Sequence, residues 1–142
     1  MTPKIFADSD VILDLLAMRA PFYDDSAKIF VLAHKKKIEI YTTAVVLANV
    51  FYILRKFNGN EEAKKQLKNL RLLVRILPIS ENIIDMTLNS KFSDFEDGLQ
   101  YFTAQSGNIH TVITRNVKDY KEKGIAIQTP AEYIKANGKL LG

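Results

Sequence analysis

Acidic residues recur at three separated places in this 142-residue chain, each at the edge of a short apolar run or helix. Ile5-Phe6-Ala7 runs into Asp8, with Asp10 and Asp14 close behind. Asp94-Phe95-Glu96-Asp97 forms a second group. Thr111-Val112-Ile113-Thr114 leads to a third, at Asn116 and Asp119. A strand that runs straight into an acid places Asp8 at its carboxyl end, the edge where open α/β sheets build their sites. If the strands are neighbours, carboxylates from distant parts of the chain converge. Two carboxylates about 4 Å apart repel by ~4 kcal/mol at an effective dielectric of about 20. They persist there only if one takes a proton or a cation sits between them. These residue types therefore point first to a divalent-cation site. Mg²⁺ takes a few carboxylates plus waters, so an incomplete ring of acids suffices.

Each of these residues also has a structural reading. Asp8 and Asp10 suit helix N-caps. Asp94, Glu96 and Asp97 complement a helix dipole, although three acids exceed what capping needs. Asp97 precedes Leu99 and Phe102, so its helix packs closely on the sheet. Asp14 lies among core leucines and reads as structural. Asn116 and Asp119 suit a loop; as ligands, Asp119 would supply charge and Asn116 a neutral oxygen. Thr114 can bond a ligand water, a phosphate or nearby backbone. Asn49 interrupts an apolar helix, where a buried amide needs partners, and a water on a cation would be one.

The elements that must position these groups alternate between strand and helix. Residues 3–8, 38–41, 75–78, 110–114 and 125–128 read as strands. Helices are expected over 10–18, 22–36, 42–57, 60–74, 81–89, 94–106 and from Pro130 onward, with a break at Asn58-Gly59-Asn60. Thr129-Pro130 is a cap-then-proline start. This alternation predicts an α/β fold: three layers, α/β/α, around a mostly parallel sheet of four or five strands. No repeat or linker divides residues 1–142, so one domain is expected.

Composition narrows the chemistry. The chain has no cysteine, which excludes disulfides and thiolate metal sites. No apolar run approaches the about 20 residues of a membrane helix, and no secretory leader is legible. A cytoplasmic, membrane-free protein is expected. Net charge is +4 despite the acidic groups, which permits a polyanionic partner. Lys64, Lys68, Arg71 and Arg75 share a helix face that reads as solvated. Arg115 adjoins the acidic edge and is placed to meet a phosphate. His34 and His110 are isolated, and no Walker or dinucleotide-binding glycine pattern occurs.

Taken together, these residues resemble the PIN-domain family of metal-dependent ribonucleases, especially the VapC-like toxins of toxin–antitoxin pairs. Phe6-Ala7-Asp8-Ser9-Asp10-Val11-Ile12-Leu13-Asp14 looks like the opening motif, and Thr42-Thr43-Ala44-Val45-Val46-Leu47-Ala48-Asn49 like the second. Asp94-Phe95-Glu96-Asp97-Gly98-Leu99-Gln100-Tyr101 looks like the third, and Thr114-Arg115-Asn116-Val117-Lys118-Asp119-Tyr120 like the fourth. The resemblance implies one or two Mg²⁺ or Mn²⁺ ions supporting RNA phosphodiester hydrolysis. It assigns metal contacts to Asp8, Asp97, Asp94, Asp119 and Asp10. Asn49 and Asn116 would join Asp8, Asp97 and Asp119 in catalysis by orienting waters, with Arg115 and Thr114 on the substrate. It also implies a small antitoxin partner laid across the site, and a homodimer. Three positions depart from the family pattern: Asn49 stands where Glu is usual, Asn116 where Asp is frequent, and Asp10 where Asn is usual.

Two other functions compete. One is a catalytically weakened PIN-fold module that binds RNA or a protein, because Asn49 and Asn116 are neutral. The other is a phosphatase, since an apolar strand followed by Asp-x-Asp is similar to the start of haloacid-dehalogenase-like enzymes. There Asp8 would be nucleophile and Asp10 general acid, with Thr114 and Lys118 as later pieces. That family expects an acidic motif after the lysine, whereas the main acidic cluster here comes earlier.

Overall fold

The computed structural model describes residues 2–120 and 124–142. Strand β1 (Lys4–Ala7) buries Ile5, Phe6 and Ala7 completely, as a strand covered on both faces must. Helix α1 (Ser9–Leu16) follows after a single residue, Asp8, whose side chain accepts from the Ser9 amide. Then come α2 (Tyr23–His34), β2 (Glu39–Thr42), α3 (Ala44–Arg71), β3 (Val74–Ile76) and α4 (Glu81–Leu88). The chain continues through α5 (Phe95–Ser106), β4 (Thr111–Ile113), β5 (Ala126–Gln128) and α6 (Pro130–Asn137). Short 3₁₀ turns at Val117–Asp119 and Gly138–Leu141 complete the described elements.

The five strands form one sheet in the order β3-β2-β1-β4-β5, and every pairing is parallel. The expected parallel α/β sheet is therefore present, with five strands and six α-helices among the described residues. From β1 the chain builds outward to β2 and β3, then returns to place β4 on the other side of β1. The strand order thus reverses between β1 and β4. In open α/β sheets the crevice beyond the strand carboxyl ends at such a reversal is where ligands bind. Register sharpens the placement: Ala7 lies beside Ile113, and the Asp8 amide donates to the Ile113 carbonyl at 3.0 Å. Asp8 and Thr114 therefore leave adjacent strands side by side.

The core is one cluster drawn from β1, β2, β4 and the inner faces of the helices. Helix α3 carries the expected break: Gly59, at φ 83 and ψ 164, is non-helical within it. A positive φ of this size is open to glycine at little cost. Thr43 caps α3, Ser80 caps α4 and Asp94 caps α5, each accepting from the amide three residues on.

Gly98 sets how closely α4 and α5 approach. A Cβ built there would lie 2.6 Å from Thr87 Cγ2 and 3.2 Å from Phe92 Cβ. Gly98→Ala therefore overpacks this contact, and the expected loss is about 1–3 kcal/mol in urea denaturation. An unchanged midpoint would mean that α4 yields freely.

Candidate active site

Asp8 is the most enclosed acid of the three sequence groups apart from Asp14. Its Oδ1 accepts from the Ser9 amide at 2.7 Å, and its Oδ2 accepts from the Thr114 hydroxyl at 2.8 Å. The Tyr120 hydroxyl lies 3.3 Å from Asp8 Oδ2 and 2.9 Å from Gln100 Oε1. A phenol has one proton, so it serves these acceptors one at a time. Burial pushes the Asp8 carboxyl above its ordinary range, against hydrogen bonds from Thr114, Ser9, Gln100 and Tyr120 that favour the charged form. Burial, joined by the neighbouring carboxylates, raises the Tyr120 phenol and keeps it neutral.

Asp10, in the first turn of α1, reaches the chain leaving β4. Its Oδ2 accepts from the Arg115 amide at 3.1 Å and from Asn116 Nδ2 at 3.3 Å. The Thr114 hydroxyl lies 3.4 Å from the same oxygen. Asp10 Oδ1 is buried and has no hydrogen-bond partner. Burial and the Asp8 charge lift the Asp10 carboxyl to about 6.

Asp97 arrives from the first turn of α5. Burial lifts its carboxyl to about 7, with added repulsion from Asp8, Asp94, Asp119 and Glu96. The charges that act on this carboxyl belong to residues following β1, in and before α5, and in the turn after β4. Asp94 is also a cap, with Oδ1 accepting from the Asp97 amide at 3.1 Å. Asp119 is exposed in the 3₁₀ turn. Among the described residues, no three or more His, Cys, Asp or Glu side chains gather into a metal-holding group.

The raised Asp97 value has a thermodynamic consequence. The folded carboxyl holds its proton to about 7 and the unfolded one to 3.8. Between those values the folded state binds more protons, so stability falls as pH rises through the window. In EDTA, Asp97→Asn should gain on the wild type between pH 5 and 7.5. The gain should be on the order of 1 kcal/mol, less than the full shift implies, because the half-exposed side chain is screened by solvent. Calorimetry at the two pH values checks this, and a constant difference would contradict it.

Four other sequence expectations gain definite positions. Asp14, read as structural, is wholly buried and faces two arginines. Arg19 Nε donates to its Oδ1 at 2.9 Å, and Arg115 Nε lies 2.9 Å from its Oδ2 as an ion pair. Arg115 is thus anchored beneath the acidic edge, with its guanidinium carbon 4.0 Å from the Phe22 ring centroid. Thr114, open between ligand and backbone, bonds a carboxylate and also accepts from the Asn116 amide at 3.1 Å. Asn49 is half-buried and donates to Glu96 Oε2 at 2.7 Å, linking α3 to α5. Of the expected basic helix face, Arg71 ends α3 and binds the Val74 carbonyl, whereas Arg75 lies in β3, off that helix, because the helix stops at Arg71, and pairs with Glu39.

Sequence reasoning gives Gln100 and Tyr120 no role in this site, and Glu96 only that of a charge at a helix start. Gln100 lies three residues after Asp97, so one helix face presents both. That spacing was the available signal for Gln100. Tyr120 carried none beyond following Asp119.

A PIN domain family model matches residues 4–118. The chain belongs to the PIN-domain family. A similar protein is ribonuclease VapC1 of Aquifex aeolicus (strain VF5), 27% identical over 138 residues and covering 92% of each chain. Among solved structures, this PIN domain is similar to VapBC2 from Rickettsia felis bound to a DNA fragment from their promoter. That match has a TM-score of 0.68 and 17% identity, covering 89% of this chain and 98% of the other. It is also similar to Mycobacterium tuberculosis VapC20, a sarcin–ricin loop cleaving toxin, with a TM-score of 0.60 and 16% identity over 76% of this chain and 86% of that one. DNA-bound VapBC from Salmonella typhimurium matches with a TM-score of 0.68 and 14% identity over 91% and 99% of the two chains. At such identities the structural matches speak for the fold of this PIN domain, and the family model carries the membership.

Proposed function

We propose that this PIN domain is a VapC-like toxin ribonuclease that hydrolyses RNA phosphodiester bonds with Mg²⁺ or Mn²⁺. The observation that carries this reading is Asp8 at the β1–β4 reversal, sharing one electrostatic field with Asp97. The donors are all oxygen, which suits Mg²⁺ or Mn²⁺. The partnerless buried Asp10 Oδ1 and the mutual repulsion around Asp97 are what a cation would relieve. Asp8 and Asp97 would be the chief protein ligands, with Asp10, Asp94 and Asp119 acting directly or through waters. When bound, the cation would supply Lewis acidity that activates water and offsets the charge developing on the phosphate.

The chain's own residues set the stage for that chemistry. Thr114 and Ser9 hold the Asp8 carboxylate in place, and Gln100 and Tyr120 wall its inner side. Asn116 fixes Asp10 and would orient water beside it. Asn49 would act through its bond to Glu96, which restores a negative charge next to the position where the family usually has Glu.

The relative is named a ribonuclease, and two of the solved neighbours are VapBC assemblies. These support a small antitoxin partner, and family resemblance supports a homodimer. Among the described residues no helix is long and apolar enough to cross a membrane. We place the protein in the cytoplasm as one domain over residues 1–142. The test is cleavage of single-stranded RNA by purified protein with Mn²⁺ and with EDTA. Cleavage that requires Mn²⁺ supports the reading. Calorimetry with Mg²⁺ and Mn²⁺ accompanies the assay, and RNA binding without metal uptake or cleavage would favour a weakened binding module instead.

A further inference from the structure

Beside the carboxylates lies a cavity of 320 Å³ bordered by Phe22, Asp25, Arg115, Asn116 and Pro130. We propose that it is a nucleobase subsite, holding one unpaired base of the RNA next to the bond that is cut. This rests on RNA being the substrate. The size falls at the lower end of small-molecule sites, about 300–1,000 Å³, and suits a single base.

The cavity has a rigid platform. Arg115 is fixed three ways: Nε against buried Asp14, its amide on Asp10 Oδ2, and its guanidinium 4.0 Å from the Phe22 ring centroid. A guanidinium plane and an aromatic ring are the surfaces on which unpaired bases stack. Phe22 is 39% exposed, more than a core aromatic would be. The base would enter between this pair and the Pro130–Ala131 start of α6.

Position ties the cavity to the chemistry. Arg115 and Asn116 both line it, and both donate to Asp10 Oδ2. A second cavity, 540 Å³, shares Arg115, Asn116 and Thr129 and continues to Lys118 and Asp119. A strand with its base in the first cavity would run its phosphates past the acidic edge, with Lys118 beside them.

Asp25 gives the cavity a preference. A carboxylate only accepts hydrogen bonds. It favours a base edge with two adjacent donors, which guanine offers at N1–H and N2–H. Uracil offers a single N–H donor.

NMR titration of the full chain in EDTA with each of the four nucleoside 5′-monophosphates tests the subsite independently of cleavage. The Phe22 ring resonances should shift with saturation, and GMP should bind about tenfold tighter than UMP. Phe22→Ala should weaken GMP about tenfold, consistent with loss of one stacked base. Phe22→Leu keeps apolar bulk without the ring and should weaken it similarly, which separates stacking from a folding defect. Asp25→Asn should erase the difference between GMP and UMP. The subsite is overturned if no monophosphate moves Phe22, or if these variants bind all four as the wild type does. Failure of the nuclease reading would appear separately, as wild-type protein that leaves RNA uncut with Mn²⁺.

Discussion

Asp8→Asn should lower the Mn²⁺-dependent RNA cleavage rate by at least about 100-fold while leaving the protein folded. Loss of a residue that merely supports a metal ligand typically costs about 10–100-fold, so loss of a ligand sets a floor near the upper end of that range. The fold should survive for local reasons. Asn is as good an N-cap as Asp, and its oxygen can still accept from the Ser9 amide. The Thr114 and Tyr120 hydroxyls that face Asp8 Oδ2 can turn to accept from an amide nitrogen. Burial already disfavours the Asp8 charge, so the metal-free variant should be at least as stable as the wild type. A purified Asp8→Asn protein with the wild-type melting temperature and wild-type cleavage would remove Asp8 from the chemistry.

Replacing both Arg19 and Arg115 by Met should destabilise the protein by about 3–5 kcal/mol in urea denaturation. Asp14 is wholly buried, and these two guanidinium groups lie 2.9 Å from its two oxygens. Either arginine alone leaves the carboxylate with one cation, so each single variant should cost less than half of the double. Adding Asp14→Leu to the double variant should recover most of the loss. Apolar residues of similar volume commonly replace buried ion networks without penalty, and Asp14 sits between Leu13 and Leu15. A double variant within about 1 kcal/mol of wild type would mean that water reaches Asp14.

Much of this arrangement is legible in the amino-acid sequence. Chain direction alone put Asp8 at a strand's carboxyl end, and it does follow β1 directly. The glycine at position 59, the proline at 130 and the caps at Thr43, Ser80, Asp94 and Thr129 act where local rules place them. The strand order was not legible, because parallel pairing joins segments as distant as β1 and β4, about which local pattern is silent. The same limit explains Arg115. Its neighbours in sequence suggest a phosphate contact and are silent about its anchor, Asp14, on α1. The bond from Asn49 to Glu96 joins two helices, a contact fixed by how α3 and α5 pack and so invisible to local pattern. Tyr120 and Gln100 meet Asp8 for a similar reason: tertiary packing brings three separate segments to one carboxylate.

A manganese-soaked crystal, measured at a wavelength where Mn²⁺ scatters anomalously, asks the central question directly. The expected result is an anomalous peak in contact with carboxylate oxygens of both Asp8 and Asp97. A well-ordered crystal in which manganese touches neither residue, or in which their side chains point to separate solvent regions, would contradict a shared cation at the β1–β4 edge.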